Sequence, residues 1–318
     1  MVKNPFIENS SVEFQTEISK ERLINEYKSH YDIDISEILS STDSIELYKC
    51  KNSGYRFYSP LNITGNSGFY EKLQEHDWYY MPWKWEHQIC NKLINKGNKI
   101  LEIGCGKGDF LRRIYKQHEN IQCIGLELNE STVISENNLK IINSRIEDYC
   151  IENEEKFDIV CSFQVLEHIP TVNSFLKASI KCLKEDGLLV ISVPNNDSFI
   201  KHERFCILNM PPHHMGLWTE KSLKMIGTYF DLELLKIEYE PLQEYHFDYY
   251  LNIMIKRTAG AYFAKYIDKV IELTNLRKIL IKYIRNRAKK IHGHSIMIVL
   301  RKTAANRQTY RQTLEQSG

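Results

Sequence analysis

The stretch KILEIGCGKGDF, Lys99 to Phe110, decides how the rest of the chain is read. Gly104, Gly106 and Gly108 stand at alternate positions directly after an apolar run. A glycine-rich turn between a strand and a helix brings backbone N–H groups against a ligand. A triphosphate loop requires Lys-Ser/Thr after its last glycine, and here Asp109 and Phe110 follow, so that reading fails. A dinucleotide fingerprint requires G-x-G-x-x-G, whereas the spacing here is G-x-G-x-G. Glu102, two residues before the first glycine, would repel a pyrophosphate and welcome an ammonium group.

Outward from the loop, strand and helix alternate. The pattern predicts strands at roughly 98–104, 121–127, 139–143, 157–163 and 187–193, with two more at 231–240 and 295–302. Several are apolar on consecutive residues, as parallel strands covered on both faces should be. One helix is expected in TVNSFLKASIKCLK, with Leu176, Ile180 and Leu183 recurring behind Thr171 as cap. Another begins near WTEKSLKMIGTYF, capped by Thr219, with Leu223, Ile226 and Phe230 as its stripe. The order implies an α/β fold: a Rossmann-like, doubly wound sheet of about seven strands, with ligands at the carboxyl ends of the strands. Residues 1–80 do not follow the alternation and read as a small α+β extension. It holds a helix near 18–30, a two-strand element (IELYKCKNSGYRFYSP) and an aromatic segment. The main domain is expected over 81–303, with a helical insertion at about 241–293 before the last strand. The polar end, 304–318, reads as a flexible tail.

The 318 residues are 42% hydrophobic and 26% charged, ordinary for a soluble domain. Basic and acidic residues number 42 and 41, a net charge of +1, so no global field draws the chain to nucleic acid or membrane. Eight cysteines form no C-x-x-C pair, and Cys123 and Cys161 sit in apolar runs. Reduced, buried thiols in a cytoplasmic protein account for them. The beginning MVKNPFIENSS has no apolar signal region, and no stretch has the length of a membrane span.

With these motifs in order, the chain resembles the class I S-adenosylmethionine (SAM)-dependent methyltransferases over roughly residues 80–240 and the last strand. LEIGCGKG matches their first motif, and IGLELN is similar to their second, placing Glu127 where a carboxylate receives both ribose hydroxyls. SRIEDY resembles the adenine segment, with Ile146 against the ring and Glu147 or a nearby N–H at its polar edge. FDIVCSFQVLEHIP and LKEDGLLVISVPN resemble the fourth- and fifth-strand motifs. The resemblance implies SAM as cofactor, held by Glu102, Gly104, Cys105, Gly106, Gly108, Glu127, Leu128, Ile146, Glu147 and Gln164.

Candidate bases for the acceptor are His168 in LEHIP and His213 and His214 in NMPPHHMGLW. His168 reads either as a base or as a residue orienting its loop. Two adjacent histidines on an extended chain point opposite ways, so one of His213 and His214 would face the acceptor and the other brace the loop. This loop is similar to that of bacterial methyltransferases of surface-polysaccharide and natural-product pathways. Related quinone O-methyltransferases carry an acidic residue before a Glu-His pair and bind a divalent metal there. Gln164 stands at that place, beside Glu167, so no metal site is expected. Asn195 and Asn196 can bind acceptor hydroxyls. In HDWYYMPWKWEH, residues 76–87, Tyr79 and Tyr80 read as a lid, while Trp78, Trp83 and Trp85 read either as lid or as packing.

YKCKNSGYRF resembles a decayed zinc ribbon whose single Cys50 cannot build a tetrahedral site. RKILIKYIRNRAKK, residues 277–290, has seven basic residues and no acid. Leu276, Ile279, Leu280 and Tyr283 make an apolar stripe, with Lys278, Lys282 and Arg285 opposite. Such a helix rests on anionic lipid, grips a phosphate-bearing acceptor, or packs on the domain by its apolar side. The expected activity is methylation of a small or carrier-linked acceptor, best read as a sugar or surface-glycan hydroxyl. The alternatives are a quinone or lipid-like phenol at a membrane surface, and a SAM-binding scaffold without turnover. No nucleic-acid partner is expected, because no recognised binding module precedes the core.

Overall fold

The computed structural model describes residues 2–76, 79–129, 132–136, 138–203, 205–274 and 276–303. Trp78 and the expected tail at 304–318 lie outside the described residues. The chain begins with β1 (Val12–Ile18), α1 (Lys20–Tyr31), β2 (Ile45–Cys50), β3 (Arg56–Ser59), α2 (Ser67–Gln74) and α3 (Trp85–Asn91). The alternating part follows: β4 (Lys99–Ile103), α4 (Asp109–Gln117), β5 (Gln122–Glu127), β6 (Ile134–Glu136), β7 (Leu139–Asn143), α5 (Ile146–Tyr149) and β8 (Phe157–Phe163). Then come α6 (Val172–Cys182), β9 (Leu183–Pro194), β10 (Gly216–Leu217), α7 (Glu220–Tyr229) and β11 (Glu233–Pro241). The insertion supplies α8 (Phe247–Leu273) and α9 (Leu276–Arg287), and β12 (His292–Arg301) ends the described chain.

The main sheet has eight strands in the order β11-β12-β9-β8-β4-β5-β7-β6. The expected seven are all present; the eighth, β6, is a short edge strand antiparallel to β7 that the apolar pattern did not show. β7, β5, β4, β8 and β9 are parallel, while β12 runs antiparallel to both β9 and β11. Both faces are covered, as the consecutive apolar residues require. On β4, Leu101 and Ile103 join a core layer with Leu176, Trp218 and Leu223, while Ile100 joins Phe110, Leu111 and Ile114 on the other side. The strand order reverses beside β4. The crevice beyond the carboxyl ends of β4, β5 and β8 is therefore the natural ligand position.

The extension differs from its expected form. Its sheet has four strands, β1-β2-β3-β10, rather than two, because β1 is polar-faced and exposed and left no apolar signature. Its last strand, β10, comes from the distant histidine loop and pairs Gly216 with Phe57. Its core also takes in Met210, Met215 and Leu217 from that loop. Thr219 caps α7 as expected, accepting from the Ser222 N–H. Thr171 stands at the N-cap of α6 but makes no side-chain cap bond.

Helix α9 turns differently from the expected stripe. Ile284 is its buried residue, with Leu280 and Ile281 beside it, whereas Ile279 and Tyr283 are 63% and 53% exposed. The packed side follows α8, whose run is broken at Gly260 with φ 77°. Among the described residues no helix is long and apolar enough to cross a membrane.

Trp218 joins the extension to the sheet. It is fully buried, with its ring 4.4 Å from Tyr55 and 5.5 Å from Phe6. Trp218→Ala should lower the unfolding free energy by about 3–5 kcal/mol, the range for emptying a large aromatic site. Trp218→Phe should cost much less, since the indole N–H meets no hydrogen-bond partner among the described residues. Urea unfolding of both variants beside the wild type measures this.

Candidate functional site

One cavity of about 820 Å³ lies at the carboxyl ends of the central strands. Glu102, Gly104, Cys105 and Gly106 line it from β4, Glu127 from β5, and Gln164, Glu167 and His168 from the segment after β8. His213 and His214 line it from the distant loop, and Tyr79 and Tyr80 from the segment before α3. All three candidate bases and six of the ten expected cofactor residues thus meet in one space.

The glycine loop is held open by its backbone. Gly104, Gly106 and Gly108 have φ of 70°, 53° and 75°. A Cβ on Gly104 would stand 2.5 Å from Val165 Cγ2, and one on Gly106 would stand 3.1 Å from the Tyr80 ring. The Gly106 N–H donates to Glu127 Oε2 at 2.8 Å. Glu127 Oε1 accepts from the N–H groups of Leu128 and Asn129 at 2.8 and 3.2 Å. Glu127 thus fixes both the loop and its own strand end, and its Oε2 keeps a lone pair for a hydroxyl.

The other four expected cofactor residues do not line this cavity. Gly108 starts α4 as its N-cap. Leu128 is 67% exposed, and Ile146 is buried in the core. Glu147 lies 3.6 Å from Arg145 and 3.5 Å from Ser174. Cys105 packs over β5, where Gly125 leaves room for its sulfur. Burial and nearby Glu102 and Glu127 push its thiol well up, so it remains protonated.

Gln164 has the left-handed φ of 56°, uncommon without a glycine's freedom. That turn carries its side chain across the strand ends, where its amide N–H groups reach Ser192 and Ser295 at 3.3 and 3.2 Å. Asn195 and Asn196 do not face the cavity. Asn195 accepts from the Asp197 N–H, while Asn196 donates to Pro194 O and accepts from Asn209. Both are buried outside the cavity lining, so the structure does not place them where the sequence reading expected acceptor hydroxyls.

The two adjacent histidines do not point opposite ways. The N–H groups of His213 and His214 both donate to Met210 O, at 3.1 and 3.0 Å, so the segment is turned rather than extended. Their rings stack, with centroids 4.4 Å apart and planes at 19°. His168 stands edge-on to both, at 4.7 and 4.9 Å. The Tyr79 hydroxyl meets His213 Nε2 at 3.1 Å, and the Tyr80 hydroxyl donates to Asp109 at 2.8 Å. Trp83 packs on Phe110 and His87, and Trp85 on the same core layer.

The cavity holds ionisable groups taken out of water. Burial lowers His168 to about 4 and His294 to about 3, and drives His213 and His214 well below the usual range. Burial pushes Glu167 up to about 8 and Glu240 up to about 7, and raises Glu86 and Glu102. Glu86, Glu240, His246 and His294 are site residues that sequence reading missed. They come from a helix before the glycine loop, from the end of β11, from the start of the insertion and from β12, so no local spacing signalled them.

Oε2 of Glu102 meets no hydrogen-bond partner among the described residues. At the mouth of the glycine loop, that orphan carboxylate fits the ammonium end of SAM. Glu127 fits the ribose of the same molecule.

Glu240 makes the electrostatics measurable. Its folded value of about 7 exceeds the ordinary carboxylate value, so the unfolded chain binds fewer protons between about 4.5 and 7. Its contribution to stability is therefore lost as pH rises through that window. Glu240→Gln should gain on the wild type by about 3 kcal/mol between pH 4.5 and 7, at about 1.4 kcal/mol per shifted unit. Urea unfolding of both proteins across this range tests it; a constant difference would contradict the assignment.

Residues 78–237 match the family described as "Methyltransferase domain". The ubiquinone biosynthesis O-methyltransferase of Glaesserella parasuis is 36% identical over 109 residues, covering 31% of this chain and 46% of that protein. Its namesake from Rickettsia akari is 29% identical over 169 residues, covering 49% and 62%. The chain spans about half the length of the curated relatives it matches. A SAM-dependent methyltransferase from Archaeoglobus fulgidus shares the fold, with a TM-score of 0.50 at 20% identity over 73% of this chain and 100% of that one. With half its length matched and the motif residues gathered around one cavity, the chain belongs to the methyltransferase-domain family of the class I SAM-dependent methyltransferases.

Proposed function

We propose that this chain is the methyltransferase of a phenolic oxygen on a lipid-like acceptor. The observation that carries the reading is the single cavity that joins the glycine loop and Glu127 at one end to the three histidines at the other. SAM, when bound, supplies an electrophilic methyl carbon. The chain's own residues hold the two reactants in line, a large effect in any displacement. Tyr79 and Tyr80 shield the cavity from water. The histidine end of the cavity receives the acceptor hydroxyl.

Phenol rather than sugar is supported by the lining of the acceptor end. Ile200, Cys206, Leu208 and Tyr249 are apolar or aromatic. The asparagines suited to sugar hydroxyls are occupied elsewhere. The relatives' names agree: both are ubiquinone biosynthesis O-methyltransferases.

The insertion supports a membrane-presented acceptor. Tyr249, in the first turn of α8, lines the cavity. Farther along the hairpin, Phe263, Val270, Leu273 and Ile279 are exposed together with Tyr283. Lys278 and Lys282 are exposed beside them. Apolar side chains among basic ones match the surface of an anionic bilayer. This keeps the expected peripheral contact through residues 277–290 but changes which side chains make it.

Two outcomes are expected. With labelled SAM, the purified chain should transfer label to a prenylated phenol and not to nucleotide sugars; label found only on sugars would refute the phenol reading. Glu127→Ala should weaken SAM binding by about 1.5–3 kcal/mol, the scale of charged hydrogen bonds; calorimetry with unchanged affinity would remove the ribose assignment. Separately, Lys278→Glu with Lys282→Glu should release the chain from vesicles containing anionic phospholipid, by about 1 kcal/mol for each lysine removed. Cosedimentation at low and high salt measures this.

A further inference from the structure

We propose that His168, His213 and His214 form a binding site for an imidazole-preferring divalent cation of the zinc class, open to the acceptor cavity on its remaining side. One ring nitrogen of each lies within 4.8 Å of the other two. Each ring is pinned through Nδ1 to an oxygen that only accepts: His168 to His213 O at 2.5 Å, His213 to Leu208 O at 2.8 Å, and His214 to Asn209 Oδ1 at 3.0 Å. Those acceptors call for a proton on Nδ1, with the lone pair then on Nε2; the Tyr70 hydroxyl also lies 3.3 Å from His168 Nδ1.

The third of these bonds is itself oriented. Asn209 Nδ2 donates to Asn196 Oδ1 at 2.7 Å, and Asn196 Nδ2 donates to the backbone oxygen of Pro194 at 3.3 Å. A carbonyl ends the relay, so both amides have one orientation and Asn209 turns its oxygen to His214. Donation of the other ring N–H to a carbonyl is how metal-ligating histidines are normally held.

Lone pairs on ring nitrogens gathered this closely cannot hydrogen-bond to one another. The Tyr79 hydroxyl lies 3.1 Å from His213 Nε2. A cation satisfies all three together. Glu167 adds a second, independent sign: it is buried, and its Oε2 meets no hydrogen-bond partner among the described residues. Its Oε1 lies 3.9 Å from His168 Nε2, within reach as a fourth donor. Imidazoles select zinc, cobalt, nickel or copper rather than magnesium or calcium. Bonds of about 2.0–2.1 Å set the nitrogens of a tetrahedral site about 3.3 Å apart, so the rings draw inward and release the Tyr79 hydroxyl.

This donor set differs from the carboxylate site in which Gln164 stands where an acid is required. It is assembled from segments 45 residues apart in the chain. Binding of the ion is independent of the acceptor's identity. That its open position holds an acceptor oxygen rests on the reading under Proposed function.

The test uses tag-free, full-length protein stripped with a chelator and titrated with cobalt(II), then with zinc. The expected result is one ion per chain, the visible absorption of four- or five-coordinate cobalt, and its loss on zinc addition. His213→Ala and His214→Ala should each weaken binding by about 100-fold or more. Asn209→Ala, which leaves all three rings in place, should weaken it about 10-fold. Circular dichroism of the metal-free variants checks folding, and His214→Gln replaces any alanine variant that does not fold. Failure to take up one ion per chain, or uptake unchanged in the histidine variants, overturns the site. Cobalt binding as expected with no methylation of any phenol leaves the site standing and refutes the proposed function. Full methylation of a phenol by the stripped protein removes the ion's role in holding the acceptor.

Discussion

The Met215 N–H donates to the carbonyl oxygen of Glu167 at 2.8 Å, and much of the site depends on that one backbone bond. It ties the loop before β10 to the turn after β8. The carbonyl of Met215 in turn accepts from the Tyr58 N–H at 2.9 Å, which extends the tie into the small sheet of the extension. His213 and His214 precede Met215 directly, and His168 follows Glu167 directly. The bond therefore brings three imidazoles together from opposite sides of the crevice. Burial of Met210, Met215 and Leu217 in the core of the extension holds the loop there by hydrophobic burial. The extension is thus a wall of the site.

The second constraint is dielectric. Glu86, Glu102, Glu167 and Glu240 are all buried around the cavity. Four carboxylates cannot all carry charge in such a space without counter-ions, and burial accordingly raises each of them. The histidines respond in the opposite sense to the same cause. Burial biases these carboxylates and imidazoles toward their neutral forms, and a cation beside them would draw the carboxylates toward their charged ones. An ammonium, a sulfonium or a metal ion would each be received by carboxylates that give up protons to meet it. An anionic ligand would find the reverse.

Legibility in the sequence divided along the distance between interacting residues. The strands, the glycine loop and Glu127 were readable because their signals are local: consecutive apolar residues, alternate glycines, and a carboxylate 19 residues beyond Gly108. Strand β1 was not, because its side chains face solvent on both sides. The orientation of His213 and His214 was misread because an extended chain was assumed, whereas both N–H groups fold back to Met210 O. Helix α9 shows the same limit. Its periodicity allowed several faces, and packing of Ile284 beside α8 chose one that leaves Ile279 and Tyr283 outside. Glu240, His246 and His294 could not be found by spacing, since the sheet alone brings β11 and β12 beside Gln164.

Asn196 shows how far a residue's role can move once its partners are known. In sequence it follows a strand end and looks available to an acceptor. In the structure its amide is spent on Pro194 O and Asn209, and through Asn209 it determines which nitrogen of His214 carries the proton. An aspartate there would offer Asn209 an acceptor but could not donate to Pro194 O. The relay would then lose its fixed end, and the Asn209 amide would lose the constraint on its orientation. The lone pair that His214 shows the cavity is therefore set two residues away from it, by a side chain that touches no ligand. Local motifs mark the glycine loop in this fold, while the histidine end of the cavity depends on such relays between loops.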